Sequence, residues 1–198
     1  MSGSGRRGVT AAVLLTPGAG TSADHPSLIA VEGRLRAQRP TPVVRRMDFP
    51  YRLAGKRAPD RQPVLLDAIR AGAAALATEA ACDPGDIVLG GRSMGGRMCS
   101  IAIADGLPAR ALVCICYPLH PPGKPDKLRI EHLPRLTLPC LFISGTRDAF
   151  ATPEELAHHT SAIPGPVTHH RIEKAGHDLK GHDQLIADVV AGWLAELP

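Results

Sequence analysis

The chain has 198 residues, a length that suits one domain around one buried core. Apolar residues make up 44% of it, which excludes a disordered or fibrous chain, and aromatics only 3%, which argues against a protein that reads bases by stacking. The formal charge is +4, mildly basic, and no run approaches the roughly 20 apolar residues of a membrane span, so neither a nucleic acid nor a membrane is expected as partner.

Residues 1–7 are rich in Gly, Ser and Arg and are expected to be flexible; a single domain is expected over 8–198. Residues 8–15 read as a buried strand, ending in the glycine-rich turn Thr16-Pro17-Gly18-Ala19-Gly20. Arg6-Arg7, the apolar run 9–15 and Thr21-Ser22-Ala23 also have the outline of a twin-arginine export signal. The apolar run is at the short limit for one, and the fold needs it as a strand. Residues 24–38 read as a helix, with Asp24 as cap and Pro26 in the first turn. A second strand covers 41–47.

A polar loop is expected over 48–61, where Arg52, Lys56, Arg57 and Arg61 follow Arg45 and Arg46. Such a basic stretch is either a solvated face or a field that attracts an anionic substrate. Leu65, Ile69, Ala73 and Leu76 then recur at helical spacing, and Pro84-Gly85 suits a type II turn. A short strand at 87–89 runs into Gly90-Gly91-Arg92-Ser93-Met94-Gly95-Gly96, followed by a small-residue helix to Ala104. A strand at 111–116, a long proline- and lysine-containing loop at 117–134 and a strand at 140–144 come next. A helix at 153–161, a strand at 167–172, a loop at 173–181 and a last helix complete the order. In that helix Leu185, Val189 and Trp193 lie four apart on one face. Six strands alternating with helices predict an α/β chain: a three-layer α/β/α sandwich around a mostly parallel sheet.

Gly91-Arg92-Ser93-Met94-Gly95 fits G-x-S-x-G, the strand-to-helix turn that lifts a serine above the carboxyl edge of a sheet. Asp148 follows the strand at 140–144, and His177 follows the one at 167–172. All three therefore emerge on the ligand-binding edge of an open α/β sheet, in the order Ser, Asp, His. A serine hydroxyl needs a base to become nucleophilic, and an imidazole held by a carboxylate supplies one. Ser93, His177 and Asp148 are the candidate nucleophile, base and supporting acid. The backbone N–H groups of Met94 and Ala19 are the candidate oxyanion donors. Asp178, next to His177, points elsewhere on this reading. Arg92, His120 and Lys124 are candidate substrate contacts, and Arg52, Lys56 and Lys127 lie in the same two loops.

The adjacent pairs His158-His159 and His169-His170 lack the i, i+4 spacing of a helical metal site, so neither metal nor cofactor is expected. Five cysteines without regular spacing suggest no disulfide framework and a reducing, cytoplasmic setting. Cys114 and Cys116 are expected on one face of a strand, as packing.

Several stretches together resemble a small α/β-hydrolase branch related to dienelactone hydrolases, the branch of testis-expressed protein thirty and a subunit of the NSL histone acetyltransferase complex. They are Pro17-Gly18-Ala19-Gly20, Met47-Asp48-Phe49-Pro50-Tyr51, Gly91 to Arg97, Tyr117 to Pro125, Gly145-Thr146-Arg147-Asp148 and Gly176-His177-Asp178-Leu179. The resemblance implies an α/β-hydrolase fold without a large cap domain and the triad named above. The family often has His-Gly-Ala-Gly where this chain has Pro17-Gly18-Ala19-Gly20. Three functions are expected in this order. The first is a serine hydrolase of carboxylic esters or thioesters, acting on a small molecule that the basic loops would favour as an anion. The second is a non-catalytic scaffold or binding subunit, as some relatives are. The third is a peptidase or other amide hydrolase. The sequence is compatible with a monomer or a homodimer.

Overall fold

The structure, a computed structural model, describes residues 10–197. Six strands form one sheet: β1 Ala12–Thr16, β2 Val43–Arg46, β3 Ile87–Arg92, β4 Ala111–Ile115, β5 Cys140–Gly145 and β6 Val167–Ile172. Their spatial order is β2-β1-β3-β4-β5-β6, and every neighbouring pair is parallel. The chain first moves outward from β1 to β2, then returns to the far side of β1 and continues through β6. The sheet order therefore reverses between β1 and β3, which opens a crevice at their carboxyl ends.

Alternate residues of the buried strands feed two cores. Ala12 and Leu14 of β1 join the first, with α3 (Gln62–Ala80), α4 (Met94–Ala104) and α5 (Pro153–Thr160) over it. Val13 and Leu15 join the second, under α1 (Pro26–Arg36) and α6 (Asp183–Ala195). The three-layer sandwich thus follows from strands that are apolar on both faces. The outer strands β2 and β6 carry Arg45, Arg46, His169, His170 and Arg171, which suit edges open to water. No described helix is long and apolar enough to cross a membrane.

Several expectations need correction. Residues 8 and 9 of the first predicted strand lie outside the described residues, as do 1–7 with Arg6-Arg7. Within the polar loop a short helix, α2 (Pro50–Leu53), forms behind the ring stack of Phe49 and Tyr51. Four residues are too few to show a helical period. The cap of α1 is His25, whose Nδ1 accepts from Ser27 N at 3.2 Å; Asp24 instead pairs with Arg46 at 2.8 Å. Pro84–Asp86 is a 3₁₀ turn in which the Asp83 carboxylate accepts from Gly85 N at 2.7 Å. On α6 the buried face is Ile186, Ala187, Val190, Ala191 and Leu194, and Leu185 stays 42% exposed. Trp193 is half-buried and donates to Thr168 on β6 at 3.1 Å. Cys114 and Cys116 enter opposite cores, because Cys116 lies just past β4 with a positive φ of 55°.

The basic stretch is neutralised at its start only. Arg45 pairs with Glu79, and Arg46 pairs with Glu32 at 2.5 Å as well as with Asp24.

A buried polar knot ties α4 to the segment after β4. Ser100 Oγ donates to the Arg97 carbonyl at 2.8 Å, so His132 Nε2–H is left to donate to Ser100 Oγ at 2.7 Å. Tyr117 OH donates to the Arg129 carbonyl at 2.7 Å and lies 3.4 Å from the same Nε2. Burial, with Arg97 and Arg135 adding to it, pushes the His132 pKa down to about 4. Between that value and the ordinary 6.5 the unfolded chain binds more protons, so stability rises with pH across this window and falls as the solution is acidified. Urea titrations of the wild type from pH 7 to pH 4 are expected to lose about 2–3 kcal/mol through this group. The same titrations of His132→Gln are expected to lack that component of the slope.

Candidate active site

The end of β3 leaves no room for side chains. A Cβ at Gly91 would lie 2.1 Å from Thr16 Oγ1 and 2.7 Å from Gly96 N, and one at Gly95 would lie 2.5 Å from the Pro17 carbonyl oxygen. With glycine at both places β1, β3 and α4 close together, and the turn between them forces Ser93 to φ 48°, ψ −117°. Few L-residues adopt that conformation, and such strain is held only where the surroundings fix it. Ser93 N donates to the Ile115 carbonyl at 2.8 Å, which anchors the turn to the neighbouring strand.

His177 arrives from the other side of the sheet. Its loop follows β6, three strands from β3, a span of about 14 Å at the usual strand spacing. The loop crosses β5 by bonding to it: Thr146 N donates to Ile172 O at 3.0 Å and Arg147 N to Ala175 O at 2.9 Å. At the far end Arg92 Nη2 donates to the His177 carbonyl at 2.8 Å. Arg92 is a buried residue at the last position of β3, immediately before Ser93. One guanidinium thus ties the strand that carries Ser93 to the loop that carries His177.

The result is a continuous contact. Ser93 Oγ lies 2.9 Å from His177 Nε2, and His177 Nδ1 lies 2.8 Å and 3.0 Å from the two carboxylate oxygens of Asp148. Asp148 is 4% exposed and also accepts from Phe150 N at 2.8 Å. The Phe150 ring stacks on the imidazole with centroids 3.9 Å apart. Asp178 is exposed, and its Oδ1 accepts from Lys180 N at 3.4 Å. Cys116 Sγ lies within 4.8 Å of the Asp148 and His177 polar atoms, the one cluster of metal-ligand type among the described residues. Burial pushes that thiol up to about 12, so it adds no charge beside the carboxylate.

A cleft of about 700 Å³ opens over Ser93, within the range of small-molecule sites. Met94 and Ala19 both line it. Met94 N–H is at the first position of α4 and has no partner within the helix. The Gly18 carbonyl is turned to Thr21 N at 3.2 Å, which sends the trans Ala19 N–H the opposite way. Tyr51 OH donates to the Ala19 carbonyl at 2.8 Å and Asp48 accepts from Ala23 N at 2.8 Å, so the segment around α2 fixes the 17–23 turn.

The candidate substrate contacts divide. Arg92 lines the cleft, with one end committed to His177. His120 does not line it. Its ring is buried, with Nδ1 2.9 Å from the Pro121 carbonyl and Nε2 3.5 Å from Glu155. Lys124 does not line it either, because Lys124 N donates to the Pro121 carbonyl at 3.0 Å in an exposed turn. Arg52, Lys56 and Lys127 are likewise absent from its wall. The wall includes His25, Arg97, Arg129 and Phe150, which sequence reasoning missed. Arg97 had a signal, since it stands four residues after Ser93 on a helix. Phe150 and Arg129 had none.

Residues 9–187 match the family described as an alpha/beta hydrolase domain. Among solved structures, an alpha-beta serine hydrolase homologue from Coxiella burnetii superimposes with a TM-score of 0.76 at 15% identity, covering 93% of this chain and 85% of that one. The esterase domain of a Rhodothermus marinus protein gives 0.70 at 17% identity, with 93% and 86% covered. A dienelactone hydrolase from Anabaena variabilis gives 0.72 at 18% identity, with 96% and 88% covered. At these identities the superpositions speak for the fold. The family match runs over most of the chain, across Ser93, Asp148 and His177, and the chain belongs to the alpha/beta hydrolase domain family.

Proposed function

We propose that this protein is a serine hydrolase that cleaves a carboxylic ester or thioester through an acyl-serine intermediate. The observation that carries the reading is the 2.9 Å contact between Ser93 Oγ and His177 Nε2, with Asp148 2.8 Å behind the same ring. Structural relatives described as a serine hydrolase homologue, an esterase domain and a dienelactone hydrolase support it.

Asp148 accepts from His177 Nδ1–H, which leaves Nε2 with its lone pair toward Ser93. As Ser93 Oγ attacks the carbonyl carbon, its proton moves to Nε2, and Asp148 stabilises the imidazolium. The carbonyl oxygen becomes an oxyanion between Met94 N–H and Ala19 N–H, where fixed donors are worth about 10²–10³ in rate each. Collapse breaks the bond to the leaving alcohol or thiol, which takes the proton back from Nε2. Water then repeats the sequence on the acyl-serine, giving up its proton to His177, and the acid leaves. Phe150 covers the imidazole face and limits its rotation. The Arg92 clamp holds the His177 backbone while the ring exchanges its proton.

A fluorophosphonate probe is expected to label the wild type and not Ser93→Ala, read by intact-mass spectrometry. A folded wild type that takes no label would favour the scaffold reading. Against p-nitrophenyl acetate, Asp148→Asn is expected to lower kcat by about 10⁴, through the wrong tautomer, with little change in melting temperature. Arg92→Met is expected to lower kcat by tenfold or more, on the order of one lost hydrogen bond of positioning. A His177 proton resonance in that variant shifted away from its hydrogen-bonded position would identify the cause as loss of registry with Ser93.

A further inference from the structure

Two guanidiniums on the wall of the cleft have no part in the reaction above. Arg97 stands one helical turn beyond Ser93, its N–H bonded to the Ser93 carbonyl at 3.1 Å, which places the two Cβ atoms about 5–6 Å apart. Arg129 comes from the segment after β4 and shares the wall with it. Among the described residues neither forms an ion pair with a carboxylate, although seven ion pairs to other arginines are present. Arg97 Nε is buried without a hydrogen-bond partner. Arg129 Nη1 makes one long contact, 3.4 Å, to the Pro118 carbonyl. Burial, and then the charge of Arg97, pulls the Arg129 pKa below its usual value. Two like charges therefore share a space partly withdrawn from water, an arrangement that costs free energy until an anion enters.

Their mounting is rigid. The Arg97 carbonyl accepts from Ser100 and the Arg129 carbonyl from Tyr117, and both of those hydroxyls meet at His132 Nε2, 2.7 Å and 3.4 Å away. The buried knot thus fixes one arginine backbone against the other. The nearby wall is apolar, with Leu65, Met94, Met98 and Pro118. Asp60 and Asp178 also line the cleft, and Glu131 adjoins His132, but none of the three pairs with either arginine.

Resting on the serine hydrolase reading, we propose that Arg97 and Arg129 form an anion subsite for a carboxylate at the far end of the substrate. The ester they select is a half-ester of a short dicarboxylic acid. Two planar donor forks match the two oxygens of a carboxylate, and the apolar wall takes the spacer. Adipate, with four methylenes between its carboxyl groups, is a short dicarboxylic acid of this kind whose spacer can lie along the apolar wall.

The test compares mono-p-nitrophenyl adipate with its neutral methyl ester as substrates of the same enzyme preparation. The expected wild-type ratio of kcat/KM, anionic over neutral, is about ten to a hundred, the range of hydrogen bonds to charged groups. In Arg97→Met and in Arg129→Met the ratio is expected to fall toward one. Because it is internal to each preparation, a loss of folded enzyme leaves it unmoved. A wild-type ratio of one or less, or a ratio that neither variant changes, overturns the subsite while leaving the hydrolase intact. If neither ester is turned over and the fluorophosphonate does not react, the hydrolase reading fails instead. The subsite is then decided by thermal shift: monomethyl adipate should raise the wild-type melting temperature, dimethyl adipate should not, and Arg97→Met should abolish the effect. No shift by monomethyl adipate in the wild type overturns it.

Discussion

At the carboxyl end of β3 the backbone of α4 lies against the backbone of β1 with no side chain between them at residue 91 or 95. That approach decides where everything else at the site can be. It puts the start of α4, with its unpaired N–H groups, directly beyond the last residue of the strand. It gives Ser93 a positive φ and lifts its hydroxyl out of the strand. It also brings the Pro17–Gly20 turn close, so that a Cβ on Gly18 would sit 3.5 Å from Ser93 Cβ. Ser93, a helix terminus and the Pro17–Gly20 turn therefore share one rim because three segments are packed at glycine distance. These contacts enclose the strained serine and hold its conformation.

The partner groups come from farther away, and the fold holds them by different means. Asp148 needs little help, since it lies just past β5 and is buried there. His177 must cross from the edge strand β6. Two backbone bonds over the end of β5 and one guanidinium at the end of β3 span that distance. The Arg92 clamp has a cost, because its Nη1 is buried without a partner. A buried charge with an unmet donor is destabilising in itself. Its position beside Ser93 suggests what offsets that cost, namely the registry of two loops that the sheet alone would leave independent.

How much of this was legible in the sequence depended on whether one residue or a pair carried the signal. The elbow was readable because glycine at 91 and 95 is a local necessity, and the four inner strands because each is built on a short apolar run. The order of Ser93, Asp148 and His177 was readable because strand ends in a parallel sheet share one edge. The basic stretch was legible only in part: Arg45 and Arg46 read as free charge in the sequence, but Glu79, Glu32 and Asp24, distant along the chain, pair with them. The C-terminal helix misled for a related reason. A spacing of four selects Leu185, Val189 and Trp193, and only the position of α1 and the sheet shows that the adjacent stripe is the buried one. His120 and Lys124 were read as contacts from their place in a loop, and the turn geometry of that loop takes both away from the cleft. Phe150, Arg129 and the Ser100–His132–Tyr117 knot are pairings across the fold, with no local pattern to announce them.

That knot shows how the interior and the cleft are coupled. Among the described residues a serine and a histidine side chain lie at hydrogen-bond distance three times: in Ser93–His177 and in His25–Ser27, whose histidines both line the cleft, and in Ser100–His132, which does not line it. Ser100 is fully buried on α4, with its hydroxyl proton spent on the Arg97 carbonyl, and His132 is kept neutral by burial. With the hydroxyl proton committed to that carbonyl and the His132 Nε2–H committed to Ser100 Oγ, the histidine cannot take the serine's proton, so the pair's worth is mechanical. It locks the second turn of α4 to the segment that carries Arg129, and through α4 it supports the turn on which Ser93 stands. Unmet polar groups are expensive in a protein interior. Here the two that remain on cleft-lining residues, Arg92 Nη1 and Arg97 Nε, lie on either side of Ser93 in the sequence, on residues whose backbones are otherwise fully tied down. Their cost falls at the rim that a ligand would fill, while the polar groups of the knot beneath it are satisfied.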